Sequence, residues 1–132
     1  MITTILSDFT GVLWNPAKSE FNEELVNYYK TLKDIISINI FSTGKLITQV
    51  EKQQSLDPMF ERIYVANDMG LSKDAENAYR WIVKDLGKAP EEILFIDDQM
   101  ANIAAARQAG LKTIVFYNTP QAIAEIRQYA ED

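Results

Sequence analysis

Ile5-Leu6-Ser7-Asp8-Phe9-Thr10-Gly11-Val12-Leu13 runs apolar into an aspartate and then turns polar through a Thr-Gly pair. A short, nearly continuous apolar run of this kind reads as a strand buried on both faces, delivering its last side chains to a sheet edge. The predicted strand covers Thr3 to Ser7, and four runs of similar character follow at Ile36 to Phe41, Arg62 to Ala66, Ile93 to Ile96 and Thr113 to Tyr117. Between them apolar residues recur at helical spacing: Phe21, Leu25, Tyr28 and Leu32; Leu46, Ile47 and Val50; Ala75, Tyr79, Ile82 and Leu86; Ile103, Ala106 and Ala109. Each set draws one apolar stripe. Gly87 and Gly110 stand where helices should stop, and Thr119-Pro120 opens a last helix carrying Ile123 and Ile126. Strands alternating with helices predict an α/β fold with three layers, α/β/α and Rossmann-like, around a five-stranded parallel sheet with right-handed crossovers.

The chain has 132 residues, 47% of them hydrophobic, with five glycines and four prolines. That suits a single domain over residues 1–132, with no linker, repeat or low-complexity tract. The first residues carry no basic segment and reach Asp8 too soon for a secretory signal, and no apolar run is of membrane-spanning length, so a cytoplasmic protein is expected. There is no cysteine and no histidine. Thiolate chemistry, disulfides and the commonest general base are thereby excluded, leaving carboxylates, hydroxyls and lysines. A net charge of −6 gives no nucleic-acid or membrane signal and suits a hard divalent cation.

In open parallel sheets ligands collect beyond the carboxyl ends of the strands. The ends here deliver Ser7-Asp8-Phe9-Thr10-Gly11, Ser42-Thr43-Gly44 and Asp97-Asp98, and Lys73 is read as opening the third helix. A cation in a first helical turn meets the unfavourable end of the macrodipole, which calls for an anionic neighbour; a solvated surface lysine is the alternative. Asp97 and Asp98 repel one another unless a cation intervenes. Either can instead cap the helix that follows.

The segment around Asp8 resembles the first motif of the haloacid dehalogenase-like hydrolase superfamily. Ser42 after an apolar strand is similar to the second motif, Lys73 to the third, and Leu94-Phe95-Ile96-Asp97-Asp98, with Asn102, Ala105, Ala106 and Gly110, to the fourth. All four occur in order across essentially the whole chain. The resemblance implies a Mg2+-dependent phosphatase in which Asp8 is the nucleophile and forms an aspartyl-phosphate. It implies that Asp8, the backbone carbonyl of Thr10 and Asp98 hold the metal, with Asp97 as companion and Asn102 steadying the site from behind. It further implies that Ser42, with the amides of Thr43 and Gly44, binds phosphate and that Lys73 balances the phosphoryl charge. Ser42 as a plain helix cap, and Asn102 as a surface amide, are the readings without function.

Two features depart from the family pattern. The position two after the nucleophile usually holds an aspartate that acts as acid and base, and here it is Thr10, whose hydroxyl does not ionise near neutrality. Loss of such a group typically costs ~10²–10⁴-fold in rate. Transport ATPases of the superfamily are similar here and have a longer-lived aspartyl-phosphate. The expectation is therefore slow hydrolysis, with a catalytically impaired domain binding a phosphorylated ligand or protein partner as the alternative; a haloacid dehalogenase is a distant third. The second departure is the absence of room for a cap domain: only a short flap, residues 12–20, follows the first motif. An uncovered site points to a phosphorylated substrate that is bulky or macromolecular, or to a homodimer. Trp14 and Asn15 in the flap are candidate substrate contacts, Trp14 being equally readable as the flap's anchor.

Overall fold

The computed structural model describes residues 1–130. The main sheet contains β1 (Thr4–Ser7), β4 (Ser37–Ser42), β5 (Phe60–Val65), β6 (Ile93–Asp97) and β7 (Lys112–Val115), all parallel, in the order β5-β4-β1-β6-β7. Successive side chains on a strand point to opposite faces, and both faces are covered. Ile5, Ile38, Ile40, Leu94 and Ile96 pack with α1 (Glu23–Leu32), α2 (Lys45–Gln53) and α6 (Thr119–Ala130). Leu6, Phe41, Ile93 and Phe95 pack against α4 (Glu76–Leu86) and α5 (Met100–Gln108) on the other face. Complete burial of each such side chain contributes about 1.5–3 kcal/mol. The expected three-layer α/β/α architecture is thus present, and no cap domain is inserted between the elements that carry the motifs. No described helix is long and apolar enough to cross a membrane.

Several local features differ from the sequence reading. The flap is a small antiparallel hairpin, β2 (Trp14–Asn15) with β3 (Glu20–Phe21), so Phe21 belongs to a strand and not to the stripe of α1. Helix α1 starts after Asn22, whose side-chain oxygen accepts the Leu25 amide at 3.2 Å. The same side chain donates to Val12 O at 3.0 Å and Thr119 Oγ1 at 2.8 Å, tying the flap's base to the starts of α1 and α6. A four-residue helix, α3 (Ala66–Met69), closes β5 and ends on left-handed Gly70. Helix α4 begins at Glu76, with Ala75 extended before it, so Lys73 precedes the helix and does not sit in its first turn.

Asn39 interrupts an otherwise apolar β4 and is fully buried. It donates to Ile5 O and accepts the Arg62 amide at 3.1 Å, where the β4–β5 register shifts between Ile38 and Ile40. A buried polar side chain is retained because it completes backbone bonds that the irregular ladder leaves open.

Candidate active site

β1 lies between β4 and β6, so the strand order reverses on either side of it and a crevice forms at its carboxyl end. Ser7 pairs with Ile40 on one side and with Ile96 on the other. One residue further along, Asp8, just past the end of β1, therefore stands beside Phe41 of β4 and Asp97 of β6. Lys73 binds all three: its Nζ lies 2.6 Å from Asp8 Oδ1, 2.9 Å from Phe41 O and 3.0 Å from Asp97 Oδ2. The anionic neighbour expected for Lys73 is present, and the surface-lysine alternative is not, because the residue is only 6% exposed. Its ammonium also lies 5.2 Å from the Phe41 ring centroid and 5.9 Å from that of Phe95. The turn that delivers Lys73 is held by Tyr79, whose hydroxyl donates to Lys73 O at 2.6 Å.

Asp97 is fully buried and accepts hydrogen bonds from the Gln99 amide at 2.8 Å and from Asn102 Nδ2 at 3.2 Å. Asn102 thus steadies Asp97, and Asp97 also receives an amide at the entry to α5. Asp98 is more open. Its carboxylate occupies the space beside Gly11, where a Cβ would come within 2.6 Å of Oδ2. Gly11 also has φ +88°, so both backbone and space require glycine. Carboxylate oxygens of Asp8, Asp97 and Asp98 all lie within 4.8 Å of one another. Three carboxylates against one ammonium leave the cluster with excess negative charge when ionised, and an all-oxygen donor set suits a hard cation such as Mg2+.

Burial pushes the Asp8 carboxyl up to about 7; Lys73 pulls it down, and Asp97 and Asp98 push it further up. Asp98 is also raised, first by burial and then by Asp97. An unfolded aspartate titrates near ~3.9. Between that value and about 7 the metal-free native state therefore holds a proton that the unfolded chain lacks. The resulting stability is fully present below pH ~3.9 and is lost as pH rises through the native value. Asp8→Asn removes this titration. In chelator, the wild type is expected to lose roughly 7–10 °C more in melting temperature than Asp8→Asn between pH 5 and pH 8, the effect of about 2–3 kcal/mol. Calorimetry of both proteins checks this; parallel pH profiles would refute it.

Behind Asp8, the fully buried Tyr29 donates to Ser7 Oγ at 2.9 Å, and Ser7 Oγ donates to Asp8 O at 3.2 Å. Tyr29 went unnoticed in the sequence because its neighbour Tyr28 fits the α1 stripe equally well. On the other side, Ser42 ends β4 and is buried, Thr43 is exposed, and Gly44 precedes α2. No side chain caps α2, so the cap reading of Ser42 does not apply. Gly44 has extended backbone; its missing side chain matters because a Cβ would fall 2.3 Å from Asn67 Nδ2. Asn67, another residue that sequence patterning did not reveal, also bonds Thr43 O through its amide at 3.0 Å.

Thr10 is exposed in the turn between Asp8 and the hairpin. Trp14 is 5% exposed and packs on Phe9 and Phe21, at centroid distances of 6.0 and 4.9 Å. It is the hairpin's anchor, and together with Asn15 it also lines a groove of ≈ 780 Å³ whose wall includes Gly11, Phe116 and Thr119. A second cavity of ≈ 410 Å³, lined by Thr43, Asn67, Lys73, Gln99 and Asn102 among others, lies across the sheet edge from it.

A family model described as haloacid dehalogenase-like hydrolase matches residues 17–110. The enolase-phosphatase E1 of Thioalkalivibrio sulfidiphilus is 41% identical over 122 residues, covering 83% of this chain and 54% of that protein. The enolase-phosphatase E1 of Komagataella phaffii is 27% identical over 127 residues, 83% of this chain and 53% of the relative. The chain thus spans about half the length of these curated relatives. Among solved structures, a predicted HAD-like family hydrolase of Porphyromonas gingivalis superposes with a TM-score of 0.83 at 20% identity, over 100% of this chain and 99% of the other. A HAD family enzyme of Bacteroides thetaiotaomicron, in complex with magnesium and inorganic phosphate, superposes with a TM-score of 0.76 at 16% identity, over 89% and 95% of the two chains.

Proposed function

Because the chain belongs to the haloacid dehalogenase-like hydrolase family, we propose that it is a magnesium-dependent phosphomonoester hydrolase working through Asp8, with slow turnover imposed by Thr10. The observation that carries this reading is the buried junction in which Lys73 joins Asp8, Asp97 and Phe41 O beside a third carboxylate, Asp98. The phosphatase names of the curated relatives support the reaction class. The magnesium and phosphate bound by the Bacteroides enzyme support the cofactor and the group transferred.

In this proposal Asp8, Asp98 and the Thr10 carbonyl would hold Mg2+, with Asp97 beside them and Asn102 fixing Asp97. When bound, the ion supplies charge neutralisation that lets a carboxylate approach an anionic phosphoryl group. Lys73 favours the ionised form of Asp8 against the effect of burial and aims its carboxylate. Ser42 Oγ and the amides of Thr43 and Gly44 receive the phosphoryl oxygens at the start of α2, where orphan amides and the helix dipole favour an anion. An Asp8 oxygen attacks phosphorus as the bond to the ester oxygen breaks, giving an aspartyl-phosphate and an alcohol that takes its proton from water. Water then attacks phosphorus and releases phosphate and the Asp8 carboxylate. Thr10 assists neither proton movement, so both steps run without an ionisable acid or base at that position.

That same Thr10 favours the second reading, in which the cleft captures a phosphorylated ligand or protein partner without useful turnover. The exposure of Thr10 and Thr43 beside the uncapped sheet edge favours a bulky phosphorylated substrate, or closure by a second copy of the chain. An aryl phosphate assay tests the leading reading: slow turnover is expected with Mg2+, none in chelator, and recovery when Mg2+ is restored. Turnover indifferent to Mg2+ would contradict it. Absence of turnover together with metal-dependent capture of beryllium fluoride would favour the binding reading.

A further inference from the structure

We propose that the groove lined by Gly11 and Trp14 receives the leaving group of the phosphate ester, and that this leaving group carries an ammonium. The inference rests on the phosphatase reading and adds a substrate class to it. Three observations lead there. The groove is contiguous with the carboxylate cluster, because Gly11 both lines it and abuts the Asp98 carboxylate. Its wall includes three aromatic residues, Trp14, Phe21 and Phe116, together with Glu20 and Glu23, and contains no lysine or arginine. Among the described residues, neither glutamate takes part in an ion pair.

The other cavities do hold lysines: Lys73 lines the one beside Thr43, together with Asp74, and Lys45 and Lys52 line a smaller groove of ≈ 260 Å³ that includes Gly44, together with Asp68. A substrate whose phosphoryl group lies toward Ser42 thus meets charge of both signs at its anionic end, whereas the charged side chains in the groove at its other end are carboxylates alone. Aromatic surface with nearby carboxylates favours an ammonium, by attraction to ring faces and to charge, and opposes an anionic leaving group. A neutral polyol would gain the hydrogen bonds but not the charge.

Matched esters read this directly. With Mg2+ present, kcat/KM for glucosamine 6-phosphate is expected to exceed that for glucose 6-phosphate roughly tenfold, the scale of an exposed charge pair reinforced by an aromatic surface. The carboxylate-bearing 6-phosphogluconate should be poorest. The amine preference should fall to about twofold in Glu20→Gln/Glu23→Gln, and should shrink as salt is added to wild type. Equal use of amine and hydroxyl esters, or a preference that survives the double substitution, would overturn the inference while leaving the phosphatase reading intact. If no ester, aryl phosphate included, is turned over, the phosphatase reading itself falls. Calorimetric titration of Asp8→Asn then decides the groove: tighter binding of the amine ester, lost on adding the two Gln substitutions, supports the amine specificity, and equal affinities for both sugars refute it.

Discussion

Replacing Asp8 by Asn is expected to lower magnesium-dependent phosphatase turnover by ~10⁴-fold or more, the scale on which loss of a covalent nucleophile acts. Asparagine keeps the shape of the side chain and can still accept a hydrogen bond from Lys73, but its amide oxygen is too weak a nucleophile to displace an alkoxide. The loss should appear in kcat and in kcat/KM alike, because the missing interaction is one made with the reacting phosphorus. A decrease confined to KM would assign Asp8 to ground-state binding only. Folding is not at risk: Asp8 is a carboxylate whose burial opposes its own ionisation, so the Asn variant should melt at least as high as wild type in chelator near neutral pH. Loss of turnover with a raised melting temperature separates chemistry from unfolding, whereas substantial turnover in Asp8→Asn would remove Asp8 from the centre of the mechanism.

Thr10→Asp is expected to act in the opposite direction and to raise turnover, by ~10²-fold or more where proton transfer limits the rate. The exposed turn between Asp8 and the hairpin accommodates the change without disturbing the buried Phe9–Trp14–Phe21 packing. The gain should be greater for alkyl than for aryl phosphates, since an alkoxide needs a proton to leave and a nitrophenolate does not. A new carboxylate close to Asp98 also adds charge to the cluster, so the variant should need more Mg2+ for half-maximal rate while reaching a higher plateau. An unchanged or lower plateau in a folded Thr10→Asp protein would mean that something other than the missing acid and base sets the rate.

The sheet and the ordered motifs were legible because their signals are local. Apolar runs such as Leu94-Phe95-Ile96 end on charged residues, and a strand buried on both faces admits few other readings. Glycines 87 and 110 marked helix ends correctly, with φ of +67° and +93°. The hairpin was missed because each of its strands is two residues long, too short for an alternation to register, and because Phe21 falls in phase with the stripe of α1. Lys73 reads in the sequence as a cation in need of an anionic neighbour at a helix start, whereas in the fold it precedes α4. Its partners are 65 residues away at Asp8 and on two further strands, and the reversal of strand order that unites them comes from packing, not from any local pattern. Asn39 and Tyr29 act through side-chain hydrogen bonds to distant partners, and Asn67 through its backbone N–H to Thr43 O and the close fit of its side chain against Gly44. Only Asn39 left a trace in the sequence, as a polar interruption of an apolar strand.

The central claim is that Asp8 becomes covalently phosphorylated, and acid quenching during turnover tests it most directly. Protein mixed with Mg2+ and an aryl phosphate is stopped in acid, where acyl phosphates survive, and its peptides are weighed. The expected result is one phosphoryl group on the peptide containing Asp8, abundant in wild type because Thr10 does not speed its hydrolysis, scarcer in Thr10→Asp, and missing from Asp8→Asn. Turnover with no modified peptide, or a phosphoryl group on any residue other than Asp8, would contradict the account.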